Sequence, residues 1–375
     1  MANDTSPRSP IPDPRSPVAV TLFVLAFYLL FSLLAMVRHD WDPLWFTWIG
    51  GRFSELDING SIGYDGQFVY YLARDGAEAL DRLDIPVYRV QRILLPFLTA
   101  LLSLGQPTII AWLIPLINMA AVTATTYLLA SWLKSESRSP WYALIYALYV
   151  GTLMAFSRDL TEPLALFLAA LGAVLWLRNE LSWAVVALAL AALTKETMLL
   201  FALGIAAAEL LGRKPKRALT VLASVIPLLF WELFLFATMG ELPLLSGSKL
   251  ELIPLKGILP QLTAEPGRLS ALFLAGLPAL ILLPYGFWLL WRGRGRSAPA
   301  WWLVLNCLFV LFMPADVYDH IMHAGRNSGG LVLSFVFILP TLGRPLRLLS
   351  LGYWTIPTLI WFIPILRWAP WLSEV

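Results

Sequence analysis

The stretch Gly63-Tyr64-Asp65-Gly66-Gln67-Phe68-Val69-Tyr70-Tyr71-Leu72-Ala73-Arg74-Asp75 stands out because almost everything around it is apolar. It brings carboxylates, aromatic rings and glycines together in a polar island. Asp65 is placed to N-cap a short helix, with Phe68, Tyr71 and Leu72 on one face at i, i+3, i+4 spacing. Gly63 and Gly66 allow the backbone to come close to a bound group. A plain interfacial amphipathic helix with a capping Asp explains the same letters and is compatible with a functional reading.

Working outward, the 375-residue chain is 59% hydrophobic and 14% charged, with a mean hydropathy of +0.72. Soluble domains carry about 25% charged residues. The deficit, together with repeated apolar runs near the length of a membrane crossing, specifies an integral membrane protein. Backbone groups in lipid must be satisfied internally, so the runs are expected to be helices and the fold all-α. A net charge of +3 and the lack of a basic, aromatic-interleaved patch argue against nucleic acid as a partner. The single cysteine, Cys307, excludes an internal disulfide and any cysteine-based metal site.

Residues 1–16, rich in Pro and Ser, read as a disordered cytoplasmic tail. The remainder, 17–375, reads as a single polytopic membrane domain. Its first span is 17–37, an uncleaved anchor, and residues 38–92 form a long first outer loop. Residues 93–104 are apolar but too short to cross and read as a half-helix or re-entrant piece. Further spans are expected at 108–133, 141–157, 163–177, 181–193, 197–212, 218–238, 270–291, 300–313, 330–342 and 351–366. The total is about 11 transmembrane helices. Lys134, Arg138, Arg178, the run Arg213-Lys214-Pro215-Lys216-Arg217, Arg292, Arg294, Arg296, Arg344 and Arg347 then share one side. By the positive-inside rule that side is the cytoplasm, with the N-terminus inside and the C-terminus outside.

Most acids fall on the opposite face. Arg158, Asp159 and Glu162 sit at one hairpin tip, and Lys195 and Glu196 at the next. Charges there are expensive unless paired or used, so interfacial salt bridges and a functional site are both open readings. Arg89 and Arg92 flank the half-helix. An Arg fork suits phosphate capture, and a snorkelling anchor is the plain alternative. Glu232 lies within a span, as a site or as a helix–helix hydrogen bond. Asp316, Asp319, His320 and His323 match no zinc spacing, and no metal site is assigned. No P-loop, dinucleotide fingerprint, Gly-x-Ser-x-Gly or His-Glu-x-x-His is present.

An inner N-terminus, one span, a long acidic outer loop, a membrane-lying helix and many short hairpins resemble the GT-C class of polytopic glycosyltransferases. The string Tyr64-Asp65-Gly66-Gln67-Phe68-Val69-Tyr70-Tyr71-Leu72-Ala73 is similar to the Trp-Asp-Gly-x-Trp-Tyr-x-x-Ile-Ala motif of GPI-type mannosyltransferases. Thr161-Glu162-Pro163-Leu164 is similar to their Ser-Glu at an outer hairpin tip. Closer still, Gly-Tyr-Asp-Gly-Gln-Phe with Tyr88-Arg89-Val90-Gln91-Arg92-Ile93-Leu94-Leu95-Pro96 resembles a bacterial family of membrane proteins linked to cell-surface glycopolymer formation. One departure stands out. The loop has no Asp-x-Asp, and Glu55-Leu56-Asp57 is the nearest diacidic pair, so a divalent cation stays open as a cofactor.

The resemblance implies transfer of a sugar from a polyprenyl-phosphate donor to a glycan or lipid acceptor outside a bacterial cytoplasmic (inner) membrane, with inversion. It makes Asp65 the general base, with Glu162 and Asp57 as further candidate acids. Arg89, Arg92, Arg158, Lys195 and Arg326 become candidates for the donor phosphate. Tyr64, Gln67, Tyr70, Tyr71, His320 and His323 become candidates for substrate contacts. Two other readings compete. A flippase for a lipid-linked sugar calls for charges spread through the spans and a repeat. A non-catalytic partner in polysaccharide assembly calls for a dispensable Asp65. The sugar, the acceptor and the oligomeric state are not encoded legibly.

Overall fold

The computed structural model describes residues 16–247, 249–263 and 266–367. The expected cytoplasmic tail at 1–16 lies almost wholly outside them. The described chain is all-helical, with no strand. One continuous apolar core runs from Val24 to Leu366.

Proline opens several helices, where its missing N–H is not needed. Examples are Pro17, Pro86, Pro107 and Pro215. Hairpin turns close through left-handed residues, among them Ser137, Asp159, Asn179 and Arg213. The helices Pro140–Ala147 and Val150–Ser157 meet at a 54° bend. The carbonyls freed there are not orphaned: Tyr28 Oη donates to Ala147 O at 2.8 Å, Thr152 to Tyr146 O and Thr358 to Leu148 O. An apolar interior tolerates a broken helix only when such hydroxyls replace the lost bonds.

Five helices are long and apolar enough to cross a membrane, or six if the bent pair counts as one span. They are Pro17–Arg38, Pro107–Ser135, Pro215–Met239, Leu269–Arg292 and Arg344–Arg367. The other apolar helices are shorter. Glu162–Leu177, Leu181–Thr194 and Ala298–Leu311 have 16, 14 and 14 residues, only about 21–24 Å of helix. Most of the remaining expected spans fall on such short helices. Leu94–Ser103, where a half-helix or re-entrant piece was expected, is a ten-residue helix of about 15 Å.

The two lengths have a geometric reason. Asn118 Nδ2 donates to Leu160 O, at the tip between two short elements, at 3.0 Å. Asn118 is eleven residues into Pro107–Ser135, so that helix continues roughly 16 Å past the tip. Phe31 packs on Phe156 with ring centroids 6.0 Å apart, and the first helix runs on to Arg38. Trp231 bonds Val90 O at 3.1 Å, and its helix runs on to Met239. Three long helices therefore run on past their contacts with shorter elements. Past these contacts the long helices stay apolar: Val37, Leu233 and Phe234 are all exposed. At the opposite end, Arg138 reaches Pro340 O, and Arg217 reaches Glu209 and Asn179.

One contact joins the first loop to the next hairpin tip. A Cβ on Gly66 would lie 2.1 Å from the Arg158 carbonyl and 3.1 Å from that of Thr47. Both neighbours are backbone and cannot swing aside. Gly66→Ala is expected to destabilise the protein by about 1–3 kcal/mol, the usual cost of overpacking. Thermal unfolding of the purified protein checks this, and an unchanged melting temperature contradicts it.

Candidate functional site

The first loop is held by its own polar groups before any ligand is considered. Tyr64 N–H donates to Trp48 O at 2.9 Å. Gln67 accepts from Gly50 N–H at 3.0 Å and donates to Ile62 O at 2.8 Å. Thr47 Oγ1 donates to Asp159 Oδ2 at 3.1 Å, tying the loop to the next hairpin tip. Gly63, with φ +71°, lets the chain turn against Gly50 and Trp48. The close approaches of Gly63 and Gly66 are thus to protein backbone, where the sequence had allowed for a bound group.

Asp65 occupies the N-cap position of the helix Gly66–Asp75, but its carboxylate makes no capping bond. It is diverted to two guanidinium groups. Arg326 Nη1 lies 2.6 Å from Oδ2, and Arg89 Nη2 lies 3.0 Å from Oδ1. Arg89 also pairs with Asp84 at 2.6 Å and stacks over Phe68 at 4.5 Å. Arg326 sits over the Tyr64 ring and 4.0 Å from Glu162 Oε1. Glu162 is held by Lys195 at 2.7 Å, and Lys195 also donates to Asn327 at 3.0 Å. Arg92 grips Glu196 with two bonds, of 2.7 and 3.0 Å, and donates to the Tyr88 hydroxyl.

In these pairs four cations face four carboxylates, so the cluster has no surplus positive charge in this conformation. Burial alone would raise the Asp65 carboxyl, but the Arg326 and Arg89 guanidiniums outweigh it and hold it well below the usual carboxylate range. A carboxylate so held is a weak base.

The cluster borders a cavity with two kinds of wall. Phe68, Val69, Leu72, Pro96 and Leu160 are apolar, and Asp65, Arg89, Arg92, Glu162 and Arg326 face them. The open room is about 20 Å³, enough for one water molecule. The ion pairs occupy the space a larger ligand would need.

The remaining expected residues divide clearly. Tyr64 belongs to the site, stacked between Trp48 at 5.9 Å and His323 at 5.7 Å. His320 is exposed, its Nδ1 accepting from Met322 N–H to cap the helix Ile321–Asn327. Five residues serve elsewhere. Asp57 is exposed, its carboxylate accepting from Asn59 N–H, and it does not line the cavity. Gln67 is the fully buried staple described above. Tyr70 and Tyr71 are buried behind the helix, with Arg74 over both rings and Arg82 over Tyr71. Arg158 is sealed at 1% exposure between Trp45 and Trp48, 4.7 and 4.8 Å from their rings, and does not border the cavity. Burial decided the three on the helix Gly66–Asp75, Gln67, Tyr70 and Tyr71, since that short helix buries most of its faces.

Asp84 and Asn327 are members of the cluster to which the sequence gave no role, and Glu196, for which a salt bridge and a site were both open, pairs with Arg92. Asp84 had a local signal, standing before Ile85-Pro86 at a helix start. Glu196 and Asn327 meet their partners only across the fold. Among the described residues no three His, Cys, Asp or Glu side chains come together to hold a metal. Both oxygens of Asp65 are taken by cations, and Glu55 and Asp57 are exposed. In this arrangement Asp65 is therefore occupied by guanidiniums and not open to a divalent cation.

No family model matches the chain, and no curated protein matches it. The pair Glu162–Lys195, 4% exposed on both sides, is a sensitive point. Glu162→Gln leaves a buried ammonium without its counter-charge and is expected to cost about 3–5 kcal/mol, whereas Glu162→Gln with Lys195→Met recovers most of it. Denaturant or thermal unfolding of the three proteins measures this. Acid stability follows from two further groups. Burial first, and then Arg326, lower His323 from 6.5 to about 4. The unfolded chain therefore takes up this proton before the folded one, and stability falls as pH drops from 6.5 to 4. Burial raises Glu196 but Arg92 outweighs it, bringing the carboxyl from 4.5 down to about 2. Its contribution is complete above pH 4.5 and is lost as pH falls toward 2. A melting-temperature series against pH shows two limbs; His323→Gln flattens the upper and Glu196→Gln the lower.

Proposed function

We propose that this protein transfers a sugar from a polyprenyl-phosphate donor to a glycan or lipid acceptor at the outer side of a bacterial cytoplasmic membrane. In this reading the chain crosses about eleven times, N-terminus inside and C-terminus outside. The observation that carries the proposal is the two-faced cavity, with Asp65, Arg89, Arg92 and Arg326 opposite an apolar wall. It lies at the ends of helices about 21–24 Å long, shorter than the roughly 30 Å hydrocarbon layer. A donor that is anionic at one end and apolar along its tail suits both walls, and it can arrive sideways from the lipid.

The ion pairs supply the mechanism. While Arg89 and Arg326 hold Asp65, that carboxylate takes up a proton poorly. A donor phosphate entering the cluster competes for the same guanidiniums. As they turn to the phosphate, Asp65 loses its counter-charge and becomes a stronger base. It then takes the proton from the acceptor hydroxyl as the oxygen attacks the anomeric carbon. The bond from that carbon to the phosphate oxygen breaks on the opposite face, so configuration inverts. The departing lipid phosphate gains charge, which Arg89, Arg92 and Arg326 stabilise. Glu162, fixed by Lys195, positions Arg326.

The test is made in cells lacking the protein, by mass analysis of surface polysaccharide. The wild type is expected to restore a missing sugar. Asp65→Asn, present in the membrane at the normal level, is expected to lose at least about a hundredfold in transfer. Full restoration by that variant removes Asp65 as base and favours a non-catalytic role.

A further inference from the structure

A second site lies at the opposite end of the bundle, on residues that the transfer reaction does not use. The helix Leu277–Arg292 is followed by a tight turn into Ala298–Leu311. Between this turn and the end of Leu199–Leu211 lies an open groove of about 830 Å³. Leu211, Phe287, Trp291 and Trp301 form its apolar lining, with Arg292 and Arg294 at its edge.

The turn is built rather than frayed. Arg294 and Gly295 both stand in the left-handed region, at φ +51° and +72°. Gly295 N–H donates to Leu290 O at 2.7 Å, and Trp301 Nε1 donates to Gly295 O at 2.8 Å. A left-handed non-glycine residue is costly unless its surroundings hold it, and here a tryptophan does so. The result places Arg294 and Arg292 at one mouth. Arg292 stacks over Trp288 at 5.3 Å. Both arginines are exposed, and among the described residues neither forms an ion pair. Trp291 is 79% exposed and Phe287 50%, on a helix whose outer face is apolar along its length.

Two cations above an aromatic groove that opens onto an apolar helix surface complement one kind of molecule. We propose that this groove binds an anionic phospholipid of the adjacent leaflet, its phosphate between Arg292 and Arg294 and its acyl chains against Leu211, Phe287 and Trp291. Exposed tryptophans at this level suit the headgroup zone. The site is independent of the sugar-transfer reading, because it shares no residue with it.

The experiment is a titration of the detergent-solubilised full chain with phosphatidylglycerol, read by native mass spectrometry, with phosphatidylcholine and inorganic phosphate as the other ligands. One phosphatidylglycerol is expected to bind in preference to phosphatidylcholine. Arg292→Gln with Arg294→Gln is expected to weaken it roughly 25-fold, a factor of about five per charge. Arg292→Lys with Arg294→Lys retains binding, which separates lost charge from a misfolded turn. Lys134→Gln with Arg344→Gln removes two exposed charges outside the groove and leaves binding within about twofold. An equal loss in that control means a diffuse basic surface and overturns the site. Displacement of the lipid by inorganic phosphate at matched concentration overturns it in favour of a free-anion site.

Discussion

The carboxylate of Asp65, held between Arg89 and Arg326, is the interaction on which the rest of this structure depends. It joins the first loop to a helix some 260 positions later in the chain. Through Glu162 and Lys195 the same network reaches two hairpin tips, and through Arg92 and Glu196 it closes on the half-helix. In apolar surroundings a single unpaired member would be far more expensive than the paired set. The segments must therefore converge at one place for any of them to be tolerated there. Convergence of charge and convergence of the helix ends are one constraint seen twice.

That constraint also explains the uneven helix lengths. A cluster of polar helix ends cannot sit at the top of a wide apolar bundle without stopping some helices early. The short helices Glu162–Leu177 and Leu181–Thr194 begin or end at members of the cluster, and the long helices carry exposed apolar side chains. A polar site set down among apolar walls has little water to screen its charges, so the pairs are strong and the cavity is nearly filled. The small cavity is thus a consequence of the ion pairing. In the proposed reaction the same physics lets a phosphate compete, because it offers the guanidiniums an equivalent partner.

Much of the architecture was legible from hydropathy. Apolar runs, a basic set of turns and an acidic face follow directly from the one-dimensional order of residues. A short helix near Leu94–Ser103 was legible too, because the apolar run there is brief and closed by Gly105 and Pro107. Individual roles were harder to read. Asp65, Glu162, Arg89, Arg92, Lys195 and Arg326 do meet in one network, and their cost at a membrane was the signal. Tyr70, Tyr71 and Gln67 stand in the same motif as Asp65 yet face the core, since neighbouring positions on a short helix point in different directions. Arg158 carries the same charge as Arg326 but is clamped by Trp45 and Trp48, more than a hundred positions earlier in the chain.

By itself, the order of residues determined that this is an all-helical chain with several membrane-length segments and a set of basic turns between them. Those properties come from local composition and periodicity, which need no partner to be defined. Only the tertiary structure decided which cation meets which carboxylate, and that Asp65 gives up its capping role to two arginines. Pairing energies depend on distances between groups far apart in sequence, and no local pattern contains those distances.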